Sequence, residues 1–249
     1  MMRSRSSLRA RWSAVLLAAV AVSGCSTGDA KQGRTDAPDA GTQAAARVAA
    51  APLTVDRLAK LTLRKGEVPD LMGDQVPPVE ELPPGKMRQP FPPVSKPECR
   101  PLIDVSQGKE AVAVVSQSFQ WVDGVGGWTT ISAYRSPEEA QRAFTRLEKA
   151  AAECRSFEGE GWTGRFWATV TTDEPLKLGD QAMSFRQSMP MSTEAMPVRP
   201  GTAGAVDHTT YSTAVRTGAV IAVFRNSQKA FPRQLMATQI RRLHTAQQA

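Results

Sequence analysis

Between Trp128 and Cys154 the spacing of apolar residues changes its period once. Trp128-Thr129-Thr130-Ile131-Ser132-Ala133-Tyr134 is rich in β-branched and aromatic side chains, the composition of a half-buried strand. Ser136 then precedes Pro137, with Glu139 three residues after the serine. That is a capping box, in which the serine oxygen takes an orphan amide and the glutamate returns to the cap's own N–H. Beyond it Ala140, Ala143, Phe144, Leu147, Ala151 and Cys154 recur at helical spacing, while Arg142, Arg146, Glu148 and Lys149 fall mostly on the far side. The pattern predicts a strand followed by an amphipathic helix that ends on a cysteine.

The remaining pattern places this unit in a sheet. Residues 54–61 form a short helix with Val55, Leu58 and Leu61 on one face. Residues 67–97 are dense in proline, which lacks a donor and resists both helix and central strand, so this stretch wraps the surface as loop. Cys99-Arg100-Pro101-Leu102-Ile103 opens a short helix, and 111–122 is a strand with Val115, Phe119 and Trp121 on one side and Ser116, Ser118 and Gln120 on the other. Asp123-Gly124-Val125-Gly126-Gly127 joins two strands rather than a strand to a helix, so it reads as a hairpin and not a phosphate loop.

Strands at 165–171, 181–187, 211–216 and 219–225 follow, the last two joined by a turn at Thr217-Gly218. In that register Tyr211, Val215, Val220 and Phe224 share a face, while Ile221 and Val223 make the other face apolar too, which places the 219–225 strand inside the sheet. Residues 231–244 close the chain as a helix with Phe231, Leu235, Ile240 and Leu243 near one face, and Arg241, Arg242 and His244 at an end where positive charge suits the dipole. The expected fold class is α+β: an antiparallel sheet of about five to six strands flanked by helices, with one disulfide.

The N-terminus sets the compartment. Residues 1–11 carry four arginines and no acid, and 12–22 are almost wholly apolar, a charged and then a hydrophobic region too short to span a bilayer as a stable helix. Val22-Ser23-Gly24-Cys25 resembles the lipobox of bacterial lipoproteins. That resemblance implies a signal peptide over 1–24, lipidation of Cys25, and a cell-membrane location on the extracytoplasmic face. Acyl chains contribute about 0.8 kcal/mol per buried methylene, so two or three hold a protein to the membrane essentially permanently. Residues 25–52 are a lipidated tether with almost no bulky apolar side chain, too poor in buriable surface to offset its ordering entropy. The single remaining domain is 53–249.

Lipidation leaves Cys99 and Cys154. Outside the cytosol two such thiols pair, and closing their 55-residue separation stabilises by roughly 4 kcal/mol in the chain-entropy model. A two-cysteine metal site lacks partners, because His208 and His244 are isolated and no C-x-x-C or H-x-x-H spacing occurs. Net charge is +7, but loss of the leader's four arginines leaves 27 basic against 24 acidic residues, or +3. The basic residues are scattered rather than gathered into a patch, so nucleic acid is not an expected partner.

Glu98-Cys99-Arg100-Pro101-Leu102-Ile103, Tyr134-Arg135-Ser136 before a helix ending in Cys154, Leu178-Gly179-Asp180-Gln181-Ala182 and Ala214-Val215-Arg216-Thr217-Gly218 together resemble the extracellular sensor domains of mycobacterial PknH-like receptor Ser/Thr kinases and actinobacterial lipoproteins similar to them. The resemblance implies an antiparallel sheet flanked by helices around a cleft for an envelope ligand. The kinase version carries two disulfides, where this chain forms one. There is no kinase domain, so a signal would pass through a membrane-protein partner.

Trp121, Trp128 and Trp167 are the candidate ligand-binding residues, an aromatic platform for a sugar or lipid, although strand aromatics are more often core. Met183, Met189, Met191 and Met196 resemble a thioether copper site, but without cysteine or clustered histidine they read as packing, and no metal or cofactor is expected. Asp173 and Glu174 are adjacent and so do not face each other across a substrate, and neither G-x-S-x-G nor H-E-x-x-H occurs, so no catalytic residues are assigned. The expected function is a lipid-anchored binding or sensor module for a lipid, glycan or small molecule of the envelope. The alternative is an assembly protein docking a partner without a pocket.

Overall fold

The computed structural model describes residues 51–64, 66–72, 79–82, 94–161 and 164–248. The expected leader, Cys25 and all but the last residues of the expected tether lie outside them. In chain order the elements are α1 (Val55–Leu61), β1 (Glu80–Leu82), α2 (Arg100–Asp104), β2 (Ala113–Gln120), β3 (Gly126–Ala133), α3 (Pro137–Glu153), β4 (Ser156–Gly161), β5 (Gly164–Asp173), β6 (Gln181–Met191), β7 (Val206–Thr217), β8 (Val220–Ser227) and α4 (Arg233–Gln248). The strands form one sheet in the order β1-β2-β3-β8-β7-β6-β5-β4, and every neighbouring pair is antiparallel. No helix among the described residues is long and apolar enough to cross a membrane.

The topology follows from α3. β3 and β4 are consecutive strands, yet they lie five strand steps apart, about 24 Å at normal strand spacing. A helix of 17 residues rises about 25 Å, so α3 is long enough to carry the chain across the sheet to its far edge. Its start is fixed as the sequence predicts. Ser136 Oγ accepts the Glu139 N–H at 3.3 Å and Pro137 occupies the first turn. The reciprocal half of the box is displaced by one residue, since the Glu139 carboxylate accepts the Arg135 N–H rather than that of the cap. At the other end Cys154 is the C-cap and bonds Cys99, with a Cα–Cα distance of 5.1 Å. Both cysteines are buried, so the bridge ties the end of α3 to the turn that opens α2.

Apolar residues on both faces of the sheet make two cores. Phe144, Leu147, Leu102 and Ile103 pack from α3 and α2 against Val114, Met183, Phe185, Ala214, Ile221 and Val223. On the opposite face Leu58 of α1 and Leu235, Met236, Ile240 and Leu243 of α4 cover Val115, Ile131, Val215, Ala222 and Phe224. Val215, Val220 and Phe224 thus share a face, Ile221 and Val223 share the other, and β8 lies inside the sheet, as the alternation predicts.

Eight strands replace the five to six expected. Both unforeseen strands are edges. β1 is three residues within the proline-rich stretch, where only an edge tolerates neighbouring prolines. β4 reads Ser-Phe-Glu-Gly-Glu-Gly, a composition without strand signal, yet Gly159 admits the Phe166 ring, which a Cβ there would strike. The outer side of β4 is covered in turn, because the Ser95 N–H donates to the Glu158 carbonyl and Ser95 Oγ accepts the Glu158 N–H. The last hairpin turn is Gly218-Ala219, one residue later than expected, with Gly218 at φ +53°. α4 continues to Gln248, so Arg241, Arg242 and His244 are not its last turn. Arg242 instead donates to the carbonyls of Leu61 and Thr62 and pairs with Glu67, locking α4 onto the end of α1.

Candidate functional site

On the α3 side the central strands change character along their length. Val223 and Ala214 belong to the core there, but two residues further on, still facing the same way, β8 presents Arg225 and β7 presents Ser212. In register across four strands the row reads Ser118, Trp128, Arg225, Ser212, and Phe185 of β6 continues it. Ser118 is exposed, Trp128 and Arg225 are half-buried and Ser212 is buried. The row therefore runs from a solvent-exposed end at Ser118 to a buried end at Ser212 and Phe185.

Arg225 sets the electrostatics of this row. Its guanidinium carbon lies 5.9 Å from the centroid of the Trp128 ring, a cation–π distance. Its Nε is buried and makes no hydrogen bond. Burial pushes the guanidinium down to about 10, and no carboxylate offsets that effect; the side chain is still cationic at neutral pH. Ser212 Oγ, on the directly paired residue of the next strand, is likewise buried without a partner. Other arginines differ: Arg186 meets Asp173 at 2.8 Å, Arg216 meets Asp180 at 3.4 Å, and Arg146 and Arg242 pair with Glu110 and Glu67. Arg225 is thus a half-buried cation with a buried, unpartnered Nε, which the fold places beside an indole and an unsatisfied hydroxyl, with no counter-charge among the described residues.

The three tryptophans expected as a platform do not converge. Trp121 is core: it lies against Phe119 and Phe231 at 5.7 and 5.6 Å, over Gly127, where a Cβ would strike its ring. Trp128 faces the opposite side of the sheet. Trp167 faces away from the α3 core with Arg199 stacked on it at 5.7 Å, five strand positions from β2, the strand that precedes Trp121. Arg225 was missed by the sequence reading, which stopped at Ile221 and Val223. The available signal was a charged residue where that apolar alternation continues.

Other candidates resolve into structure. Asp173 is held by Arg186, and His244 lies between Thr217 and Gln248. Met183 is core, Met189 packs against it, and Met196 is exposed. Among the described residues no three His, Cys, Asp or Glu gather as a metal site. A small hollow of about 40 Å³ lined by Tyr134, Glu110 and Arg146 lies beside α3, but its charges are paired with one another, and burial raises the Tyr134 hydroxyl above its usual range.

No family model and no characterised protein sequence matches the chain. Among solved structures the chain is similar to the extracellular domain of PknH from Mycobacterium tuberculosis, with a TM-score of 0.54 at 13% identity, over 79% of this chain and 97% of that one. At that identity the likeness is one of fold.

Proposed function

We propose that the chain is an extracytoplasmic binding lipoprotein: Cys25 carries the lipid anchor, 26–52 is the tether, and the domain captures or senses an envelope ligand on the open part of its α3-side sheet face. The observation that carries this reading is the Cys99–Cys154 bridge, buried between α2 and α3, a bond that persists in oxidising compartments. The fold likeness to an extracellular domain supports the same compartment. The unbalanced Arg225 row supports binding. The assembly alternative has less support, because the exposed large apolar side chains among the described residues are Met72, Val122, Met196 and Val206. They fall in two small groups at strand ends, short of a docking patch.

Cell fractionation with metabolic labelling by an alkyne fatty acid tests the reading. The chain is expected in the membrane fraction with label that Cys25→Ala abolishes. Unmodified full-length protein in the cytosol overturns it. Native mass spectrometry of the membrane-extracted chain separates the two functions: a co-purifying lipid or glycan supports capture, and a stoichiometric protein supports assembly.

A further inference from the structure

The orphaned atoms of Arg225 and Ser212 define a chemistry that goes beyond binding in general. Arg225 Nε can only donate, and Ser212 Oγ can donate once rotated toward an acceptor. They belong to directly paired residues on neighbouring strands, both atoms are buried, and neither has a partner. A partly desolvated cation with no counter-charge among the described residues carries a cost, and a buried donor without an acceptor adds to it. By register the nearest acid on a strand of this face among the described residues is Glu80 of β1, three strand steps across and two residues along from Arg225, about 16 Å away. The indole of Trp128 lies beside the guanidinium, whose planar fork of donors matches a planar or tetrahedral oxyanion.

We infer that Arg225 and Ser212 form an oxyanion-binding site on the open sheet face, with Trp128 as one wall, for the phosphate group of an envelope ligand. One phosphate oxygen accepts from Arg225 Nε and from the Ser212 hydroxyl, and the guanidinium supplies the missing counter-charge. Phosphate is shared by free inorganic phosphate, sugar phosphates and phospholipid headgroups. The site rests on the binding reading above, but not on the anchor. Loss of fatty-acid label from Cys25 would leave it standing, and failure of the titration below would leave the anchor standing.

The test is a titration of the full chain in neutral detergent at constant ionic strength, with chloride as reference and inorganic phosphate as probe. It is read by thermal unfolding and by the side-chain Nε–H resonances of arginine. A saturable rise in midpoint over chloride is expected, with one arginine resonance moving. Arg225→Lys should remove that resonance and weaken binding at least tenfold, and Ser212→Ala should weaken it several-fold by loss of one hydrogen bond. Arg225→Leu should unfold at a higher temperature than the unmodified chain in chloride and show no phosphate response, because the variant has neither the partly desolvated charge nor the orphaned Nε. A short-chain phosphatidic acid binding more tightly than phosphate assigns the lipid source, and equal binding assigns the free anion. No response to either probe, or an undiminished response in Arg225→Lys, overturns the proposal.

Discussion

The carboxylate of Asp180 accepts the Gly218 N–H at 2.7 Å, and the same oxygen meets Arg216 at 3.4 Å. Two of the short segments that suggested the family resemblance, 178–182 and 214–218, are therefore packed on each other. They fasten the start of β6 to the β7–β8 hairpin and have no part in the exposed row. Gly179 completes the lock: it sits at φ +59°, and a Cβ there would strike the Arg216 carbonyl oxygen.

Gly179→Ala is accordingly expected to destabilise by about 2 kcal/mol, the sum of left-handed strain and a backbone clash. Gly124→Ala is the control. Gly124 also has positive φ, at +81°, but nothing lies near its missing Cβ, so it should lose only about 1 kcal/mol. Urea unfolding midpoints compare the two, and equal losses would mean that the close approach to Arg216 contributes nothing.

What the sequence disclosed, and what it hid, divides along the number of constraints on each element. α3 is bounded by a capping serine and a proline and carries a continuous apolar stripe, so its ends and buried face were legible. β8 is buried on both faces and showed it through Ile221 and Val223. β1 and β4 have a neighbour on one side only, and their prolines and glycines speak against a strand until the partner is known. Arg242 reads from the sequence as a cation suited to a helix end, because its partners, the carbonyls at 61 and 62, are about 180 residues away. Arg225 was hidden for a related reason: that a charge lacks a counter-charge is visible only when all its neighbours are placed.

Removing the Cys99–Cys154 bridge should cost about 4 kcal/mol through the loop it closes. For a domain of this size that is a fall of roughly 10 °C in Tm. Cys99→Ser with Cys154→Ser, followed by calorimetry, measures it. Because Cys154 caps α3, the loss should come with early exchange of the amides in its last turn. A double variant with unchanged Tm would assign the bridge no stabilising role.

Glu67 gives the α1–α4 junction a pH dependence. Burial acts to raise its pKa, but the Arg64 N–H and the Arg242 guanidinium outweigh it and hold the carboxyl below its usual value. A depressed folded value means stability that is fully present above the unfolded carboxyl range near pH ~4.3 and is lost as pH falls through the folded value. Unfolding free energy should therefore decline below about pH 4.3, and Glu67→Gln should make that decline shallower. Identical acid limbs for the two chains would remove Glu67 as a contributor.

The two tryptophans on the helix α4 side should behave in opposite ways. Trp121 is buried in a ring cluster with Phe119 and Phe231, so Trp121→Ala should cost about 3–5 kcal/mol, the usual range for emptying an aromatic core site. Trp167 is half-buried and touches Arg199 across a surface cation–π contact, so Trp167→Ala should cost about 1 kcal/mol or less. Denaturant midpoints at constant m-value distinguish them. A Trp167 loss as large as that of Trp121 would show that the outer face of β5 is packed against something the described residues do not supply, and would move the search for a binding surface there.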